Sequence, residues 1–367
     1  MPTEALVQRA KELVRELSRT PRFAGSPEEA AARELCRNDL ERAGLRCVEQ
    51  PFEYSQWPGK WGVPASGLVQ LATILLVART AMERGALFAM IVGAAIYVAL
   101  ILASGDARRR WIQVLPVMRA RAVNLEARRG EPKVWLVAHL DSKSQTVPML
   151  VRIASAVALA VVMLLTVMTL SLSMLRMVNA NQVWPAVETA AVIAALPSII
   201  CLVRNDSPGT LDNASGVAAV LLAARELSAL PDLGVLITSG EELGLAGARI
   251  WALQASPRVT VLNCDTIDDA GAWLLMYSGS RPRRIAVAAS AGSLLAGVVP
   301  QVRRMIPGIL ADSMAFADRG IEAVTLSRGS LSTLARIHTR RDNSIAFIGS
   351  GVADASALLA ALTRNLS

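Results

Sequence analysis

The chain contains two histidines, His139 in AHLDS and His338 in HTRRDN, and both stand beside acids. Between them come three further acidic stops: Asp212 in GTLDNASG, Glu241 and Glu242 in TSGEELGLAG, and Asp265 in LNCD. A single histidine in isolation is usually an ordinary core or surface residue. Acids that terminate apolar strands are different, because a carboxylate facing a cleft must be paired, protonated or metal-bound. Imidazole plus carboxylate is a natural zinc donor set, and two zinc ions sharing a carboxylate form a clamp suited to hydrolysis. The adjacent glutamates can divide the work of metal ligand and general base.

The elements that would position these groups alternate strand and helix. VWLVA at 134–138, a helix over Gly216–Leu230, GVLIT at 234–238, a helix across 244–256, TVLNC at 260–264, a strand EAVTLS and a closing helix over Ile345–Leu362 predict an α/β fold, a sheet covered by helices on both faces. His139, the glutamate pair and Asp265 then fall just beyond strands, in the crevice at the carboxyl edge of the sheet. Upstream, helices are expected over residues 3–19 and 27–44, the second opened by a capping box of Ser26 and Glu29, followed by a strand over Arg46–Tyr54.

Composition points to a second environment. Of 367 residues, 53% are hydrophobic and the mean hydropathy is +0.41, high for a chain that only builds a water-soluble core. Trp61–Ala78 and Gly85–Ser104 are apolar runs of membrane-spanning length, with RTAMER between them as a turn. A second pair covers Ile153–Leu175 and Ala186–Val203, joined by a polar loop with Arg176 and NANQ; Glu188 and Pro197 interrupt its last run. Core helices seldom stay apolar for so many residues. Trp57, Trp61, Trp111 and Trp184 flank the runs as interfacial indoles would, and Gly85, Ala89 and Gly93 put small residues every fourth position for close helix packing. The expected organisation is therefore 1–57 as N-terminal helices and first strand, 58–105 as transmembrane hairpin 1, 106–150 as the segment carrying His139, 151–204 as transmembrane hairpin 2, and 205–367 as the remainder of the catalytic domain.

The net charge of +8 fits basic flanks of membrane segments. With 4% aromatic residues there is no aromatic-interleaved basic stretch, so nucleic acid is not an expected partner. Cys36, Cys47, Cys201 and Cys264 form no CxxC pair and read as reduced thiols. The N-terminus alternates charged and apolar residues and lacks the apolar core of a signal peptide. Lys60, Arg108, Arg109, Arg110, Lys143, Arg152 and Arg204 lie on the catalytic side of the runs against Arg79, Arg84 and Arg176 in the opposite loops, so the catalytic domain is expected in the cytoplasm.

HLDS, SPGTLDNASGVA, GEELGLAG, NCD and HTRRDN, in that order, resemble the successive motifs of the di-zinc aminopeptidases, the group of bacterial leucyl aminopeptidases, aminopeptidase Y and glutamate carboxypeptidase II. TPRFAGSPEEAAARELCRNDLERAG resembles that family's N-terminal helices. The resemblance implies a three-layer mixed-sheet zinc exopeptidase fold, here with four inserted transmembrane helices, and a centre of two zinc ions. By it, His139 and Asp265 bind one zinc, Glu242 and His338 the other, and Asp212 bridges them across a cis peptide to Asn213. Glu241 is then the general base toward the water that attacks the scissile carbonyl, Asp141 fixes the tautomer of His139, and Asp342 supports His338. In ADSMAF, Ser313 stands where relatives commonly carry histidine, which makes Ser313 and Phe316 substrate-side candidates. The expected function is a membrane-anchored exopeptidase removing N-terminal residues from peptides, with peptide substrate and membrane lipid as partners. Alternatives are another amide hydrolase, a carboxypeptidase or a cyclase on the same site, or a non-catalytic membrane adaptor; cobalt or manganese could replace zinc on such N and O donors.

Overall fold

The computed structural model of the protein describes residues 3–367 apart from 105–114, 283, 290–296 and 307. Trp111 and Arg108, Arg109 and Arg110, expected at the membrane flank, lie outside the described residues. The chain divides into two compact units, the first of residues 1–54, 119–144 and 204–367 and the second of 55–118 and 145–203.

The first unit opens with helices α1 (Glu4–Leu17) and α2 (Pro27–Arg42), each started by a hydroxyl side chain, Thr3 and Ser26, that accepts a backbone N–H of the first turn. Ser26 makes half of the expected capping box: its hydroxyl accepts the Glu29 N–H at 3.1 Å, but the Glu29 carboxylate accepts instead from the Gly25 N–H and the Ser239 hydroxyl. Glu29 is fully buried, and burial first, with Asp141 adding to it, pushes its carboxyl up to about 8. It therefore works as a tertiary connector and not as a local cap.

Strands β1 (Arg46–Ser55), β2 (Arg119–Arg129) and β3 (Val134–His139) follow, with the second unit's helices α3 (Trp57–Arg84) and α4 (Ala86–Ser104) entering between β1 and β2. After β3 come the short β4 (Ser144–Gln145), helices α5 (Met149–Met174) and α6 (Ala180–Ile199), and β5 (Val203–Arg204), which pairs with β4. The first unit then continues through α7 (Ser215–Glu226), β6 (Leu233–Thr238), α8 (Ala246–Ala252), β7 (Thr260–Ile267), β8 (Ala272–Tyr277), β9 (Gln301–Arg304), α9 (Asp312–Ala317), β10 (Glu322–Gly329), α10 (Leu331–Arg336) and α11 (Ser350–Leu366). The eight-stranded mixed sheet runs β1-β2-β6-β3-β7-β10-β8-β9, and its centre, β6-β3-β7-β10, is parallel. Every residue of β3 and β6 is buried, as strands covered on both faces require, which is why they read as continuous apolar runs.

Two boundaries differ from expectation for reasons remote in sequence. The closing helix begins at Ser350 and not Ile345, because the carboxylate of Asp269 caps it by accepting the N–H groups of Ile348, Gly349 and Gly351. The helix expected across 244–256 is confined to Ala246–Ala252, since Leu245 takes a left-handed conformation at its start and turns follow it.

In the second unit, α3, α5 and the stretch Asn181–Ile199 of α6 are long and apolar enough to cross a membrane, while the described apolar part of α4, Ala86–Ala99, is shorter. These helices are apolar inside and out: Ile74, Leu159 and Val162 pack in their core, while Leu164 and Ile193 are 67% and 66% exposed. RTAMER is helical and not a turn; Arg79 and Glu83 form an i,i+4 ion pair at 2.7 Å, and the chain reverses at Gly85. Ala89 is buried and Gly93 lies against Val77, but Gly85 serves the turn and not helix packing. Trp184 is fully buried among the helices and so is not an interfacial indole.

Arg22 holds the first unit's site loops together. Its side chain is fully buried and donates to the carbonyls of Leu17, Leu140, Pro208 and Gly209 at 2.6–3.0 Å. Those carbonyls come from the end of α1, the loop after β3 and the loop before α7. Removing the guanidinium leaves four buried acceptors without their donor, so Arg22→Ala should lower unfolding free energy by about 3 kcal/mol or more, and Arg22→Lys, with a single-point ammonium, should recover little of it. Denaturant midpoints of the two variants check this; a shift of either variant below about 1 kcal/mol would contradict it.

Candidate metal centre

Parallel pairing levels the ends of three strands. His139 is in register with Thr238 of β6, and Val137 with Asn263 of β7, so His139 at the end of β3 comes level with Asp265 in β7 and lies just before the Glu241–Glu242 turn in register. Asp212 arrives from a tight turn at Thr210–Ala214, and His338 from the segment after α10, in a left-handed conformation. All six residues are at most 8% exposed.

The DNASG sequence explains the Asp212 turn. The peptide from Asp212 to Asn213 is cis, as the motif implied. Asn213 donates to the Cys264 carbonyl at 2.9 Å and accepts from the Gly216 and Thr266 N–H groups, while Ser215 donates to the Leu211 carbonyl and accepts from Ile267 N–H. A Cβ at residue 216 would sit 2.2 Å from Asn213 Oδ1 and 2.4 Å from the Cys264 carbonyl oxygen, so only glycine lets the helix start this close to β7. The turn that presents Asp212 is thereby stitched to the strand that presents Asp265.

Asp212 faces both histidines, one with each oxygen. Its Oδ1 is 3.2 Å from His139 Nε2 and its Oδ2 is 3.0 Å from His338 Nε2. On one side Asp265 Oδ1 lies 3.6 Å and Glu241 Oε2 3.9 Å from His139 Nε2; on the other Glu242 Oε2 lies 3.2 Å from His338 Nε2. The donor atoms gather as two groups, His139 with Glu241 and Asp265, and His338 with Asp212 and Glu242, each within 4.8 Å. Asp212 is nonetheless nearer to His139 than Glu241 is, which is the disposition of a shared ligand.

The chemistry of these donors fits zinc. His139 Nδ1 lies 3.0 Å from the Asp141 carbonyl oxygen, which makes Nδ1 the N–H donor and leaves the Nε2 lone pair aimed at carboxylates, without a hydrogen-bond partner. Glu242 Oε1 is likewise buried without one. Lone pairs converging in a dry pocket require a cation or protons. The proton affinities carry the same mark: burial lowers that of His139, but Glu241, Asp141, Asp212 and Asp265 outweigh it and drive it well above its usual value. Burial raises that of Glu241 well above the carboxylate range, with Glu242, Asp265 and Asp312 adding and His139 opposing. Asp212 is held low against burial by its two histidines. A metal entering such a site displaces protons, which is the usual linkage for imidazole and carboxylate ligands.

Two supporting acids act differently from the expectation. Asp141 meets His139 through its backbone carbonyl; its carboxylate stays 3.7 Å away and accepts the N–H groups of Glu241 and Glu242, each at 3.2 Å, so it orients the glutamate turn. Asp342 does not hold His338, whose Nδ1 has no hydrogen-bond partner; it accepts the N–H groups of Leu211 and Asp212 at 2.7 and 3.2 Å and braces the Asp212 turn. Ser313 and Phe316 are fully buried and are not substrate-side residues: Ser313 bonds Thr325 at 2.7 Å, and Phe316 packs edge-on against Trp251 in the core. The apolar face of α9 lies on the sheet and takes both with it.

Sequence reasoning missed two residues of the centre. Lys143, counted only as a membrane-flank charge, places its Nζ 2.7 Å from Glu242 Oε2 and 2.9 Å from the Glu242 carbonyl oxygen; its position in HLDSK, four residues beyond His139, was the available signal. Asp312 is fully buried, accepts from the Thr238 hydroxyl, and is pushed up to about 7 by burial.

Residues 191–363, which carry Asp212, Glu241, Glu242, Asp265 and His338, match a family model. They match peptidase family M28. Over residues 191–363 the di-zinc aminopeptidase resemblance is thus supported, as a similarity to a metallopeptidase family. The M28 match excludes the segment of His139, whose place in the centre rests on geometry. Among solved structures, the aminopeptidase from Aneurinibacillus sp. strain AM-1 is similar in fold at 15% identity and TM-score 0.56, covering 97% of this chain and 92% of its own. A zinc aminopeptidase from Bacillus subtilis matches at 14% identity and TM-score 0.55, covering 97% and 94%. Fimbriiglobus ruber glutaminyl cyclase matches at 15% identity and TM-score 0.54, covering 100% and 97%. No curated protein sequence matches the chain significantly.

The role of Asp141 is open to a direct check. Asp141→Asn turns one carboxylate oxygen into an N–H donor facing a backbone donor, and should cost about 1–3 kcal/mol of stability and lower zinc retention. Thermal unfolding and metal content after dialysis report both; a variant unchanged in each would mean that the glutamate turn does not depend on Asp141.

Proposed function

We propose that the protein is a membrane-anchored, zinc-dependent aminopeptidase that hydrolyses the N-terminal peptide bond of peptides. The observation that carries this reading is the division of Asp212, with one oxygen toward His139 and the other toward His338. His139, Asp265 and Asp212 would hold one zinc, and Glu242, His338 and Asp212 the other. When bound, the pair supplies Lewis-acid polarisation of the scissile carbonyl and a lowered pKa for water. Glu241 is the general base: its carboxylate accepts a proton from the attacking water at Oε2 and returns it to the leaving amine nitrogen. Burial, with Glu242 and Asp265 adding to it, raises the proton affinity of Glu241, the direction that favours a carboxylate's taking up a proton. Asp141 keeps Glu241 and Glu242 apart in their two tasks by accepting the N–H of each.

A panel of substrates separates this from the cyclase reading, which the fold shared with glutaminyl cyclases favours. An aminopeptidase releases chromophore from free aminoacyl anilides, loses activity with chelator and spares blocked N-termini. Ammonia release from N-terminal glutamine without chain cleavage would instead indicate cyclisation, and hydrolysis at the C-terminus a carboxypeptidase. Glu241→Gln should lower the rate by about 10²–10⁴-fold with metal content retained, whereas Glu242→Gln should lose zinc as well as rate. The opposite assignment of zinc loss would reverse the two roles. A folded wild-type chain that binds no zinc and cleaves nothing would leave the adaptor reading.

Anchoring is supported by three helices of spanning length with apolar exteriors. The sequence surplus of Lys60, Arg108, Arg109, Arg110, Arg152 and Arg204 over Arg79, Arg84 and Arg176 supports a catalytic domain in the cytoplasm, with Lys143 turned onto Glu242 and left out of the tally. Reporters inserted in the 79–84 and 176–183 segments should read as external and a C-terminal reporter as internal; an external C-terminus would overturn this orientation.

A further inference from the structure

The two halves of the centre are unequal in charge. Around His139 stand Asp265 and Glu241, and among the described residues no lysine or arginine ion-pairs with either. Around His338 stands Glu242, and Lys143 is bound to it twice, through Oε2 at 2.7 Å and through the backbone carbonyl at 2.9 Å. The lysine side chain is 14% exposed and its backbone is pinned on both sides. Before it, Ser142 donates its N–H to the Arg22 carbonyl and its hydroxyl to the Ser207 carbonyl; after it, the Ser144 hydroxyl accepts the Asp206 N–H. The ammonium is therefore a fixed part of the site and not a surface charge that swings past.

We propose that Lys143 is a built-in counter-cation for the Glu242–His338 half of the centre, so that zinc loads in order, first and tightly at the His139–Asp265 half, then more weakly at the other. The inference rests on the reading of this cluster as a two-zinc centre. Two effects act in the same direction. The ammonium already neutralises Glu242, drawing electron density from the carboxylate that the second zinc would use. It also sets a positive charge beside the position a dication must take, where low dielectric makes like charges repel strongly.

The test is a zinc titration of the full chain in detergent micelles, with a competing chromophoric chelator, on wild type, Lys143→Met and Lys143→Arg. Wild type should show two Kd values, the second at least tenfold weaker. Lys143→Met keeps the length and drops the charge, and should tighten the second Kd at least tenfold while leaving the first within twofold; Lys143→Arg, which keeps the charge, should retain the gap. A lysine that only braces the turn would move thermal stability and both affinities together, and that result overturns the proposal. So does a second Kd in Lys143→Met that is unchanged or weaker. If Lys143→Met fails to fold, loss of the gap in Lys143→Arg decides against the proposal and its retention for it. Wild type that binds no zinc overturns the two-zinc reading itself, a result distinct from two equal sites, which overturns only the role of Lys143.

Discussion

Seven carboxylates, Asp141, Asp212, Glu241, Glu242, Asp265, Asp312 and Asp342, are buried within one region of the first unit, and the structure is arranged around the cost of placing them there. Four of them are provided for separately. Asp141 and Asp342 spend their oxygens on backbone N–H groups, Asp312 takes a hydroxyl, and Asp212 is set between two imidazoles. Among the described residues, what remains around His139 and Glu241 has no ion-pair partner of opposite charge beyond the histidine itself. Burying a carboxylate without compensation is among the most expensive things a fold can do, so a site with this surplus is built for a cation.

The surrounding fold serves that concentration. The parallel centre of the sheet delivers His139, the glutamate turn and Asp265 at one edge, and the hydrogen bonds of Asn213 and Ser215 fasten the Asp212 turn to β7. Arg22 ties the loop after β3 to the loop before α7, two segments that in sequence are separated by α5 and α6. The long insertion of apolar helices is thus compatible with a closed set of ligands, because the fastening is done by residues of the first unit alone.

The ligand types and the strands ending on them were legible in the sequence, because a strand buried on both faces is a continuous apolar run and a carboxylate at its end is conspicuous. The partners of those ligands were not. Asp141 was expected to use its carboxylate on His139 and uses its carbonyl; Asp342 was expected at His338 and braces Asp212. Both differences arise from backbone N–H groups that need acceptors, and nothing in a residue's type tells which distant N–H will face it. Lys143 was hidden for a similar reason: a lysine near apolar helices reads as a membrane flank until the fold turns it onto Glu242. Ser313 and Phe316 lie in ADSMAF, but a residue's place in a segment does not determine which face of a short helix meets solvent.

The central claim is that this acid surplus is matched by two metal ions on either side of Asp212. Anomalous diffraction at the zinc edge from crystals grown with saturating zinc tests it most directly. The account predicts two peaks roughly 3.5–4 Å apart, one contacting His139 and Asp265, the other Glu242 and His338, with Asp212 touching both. No peak in this cluster, or metal bound only elsewhere on the chain, would contradict it.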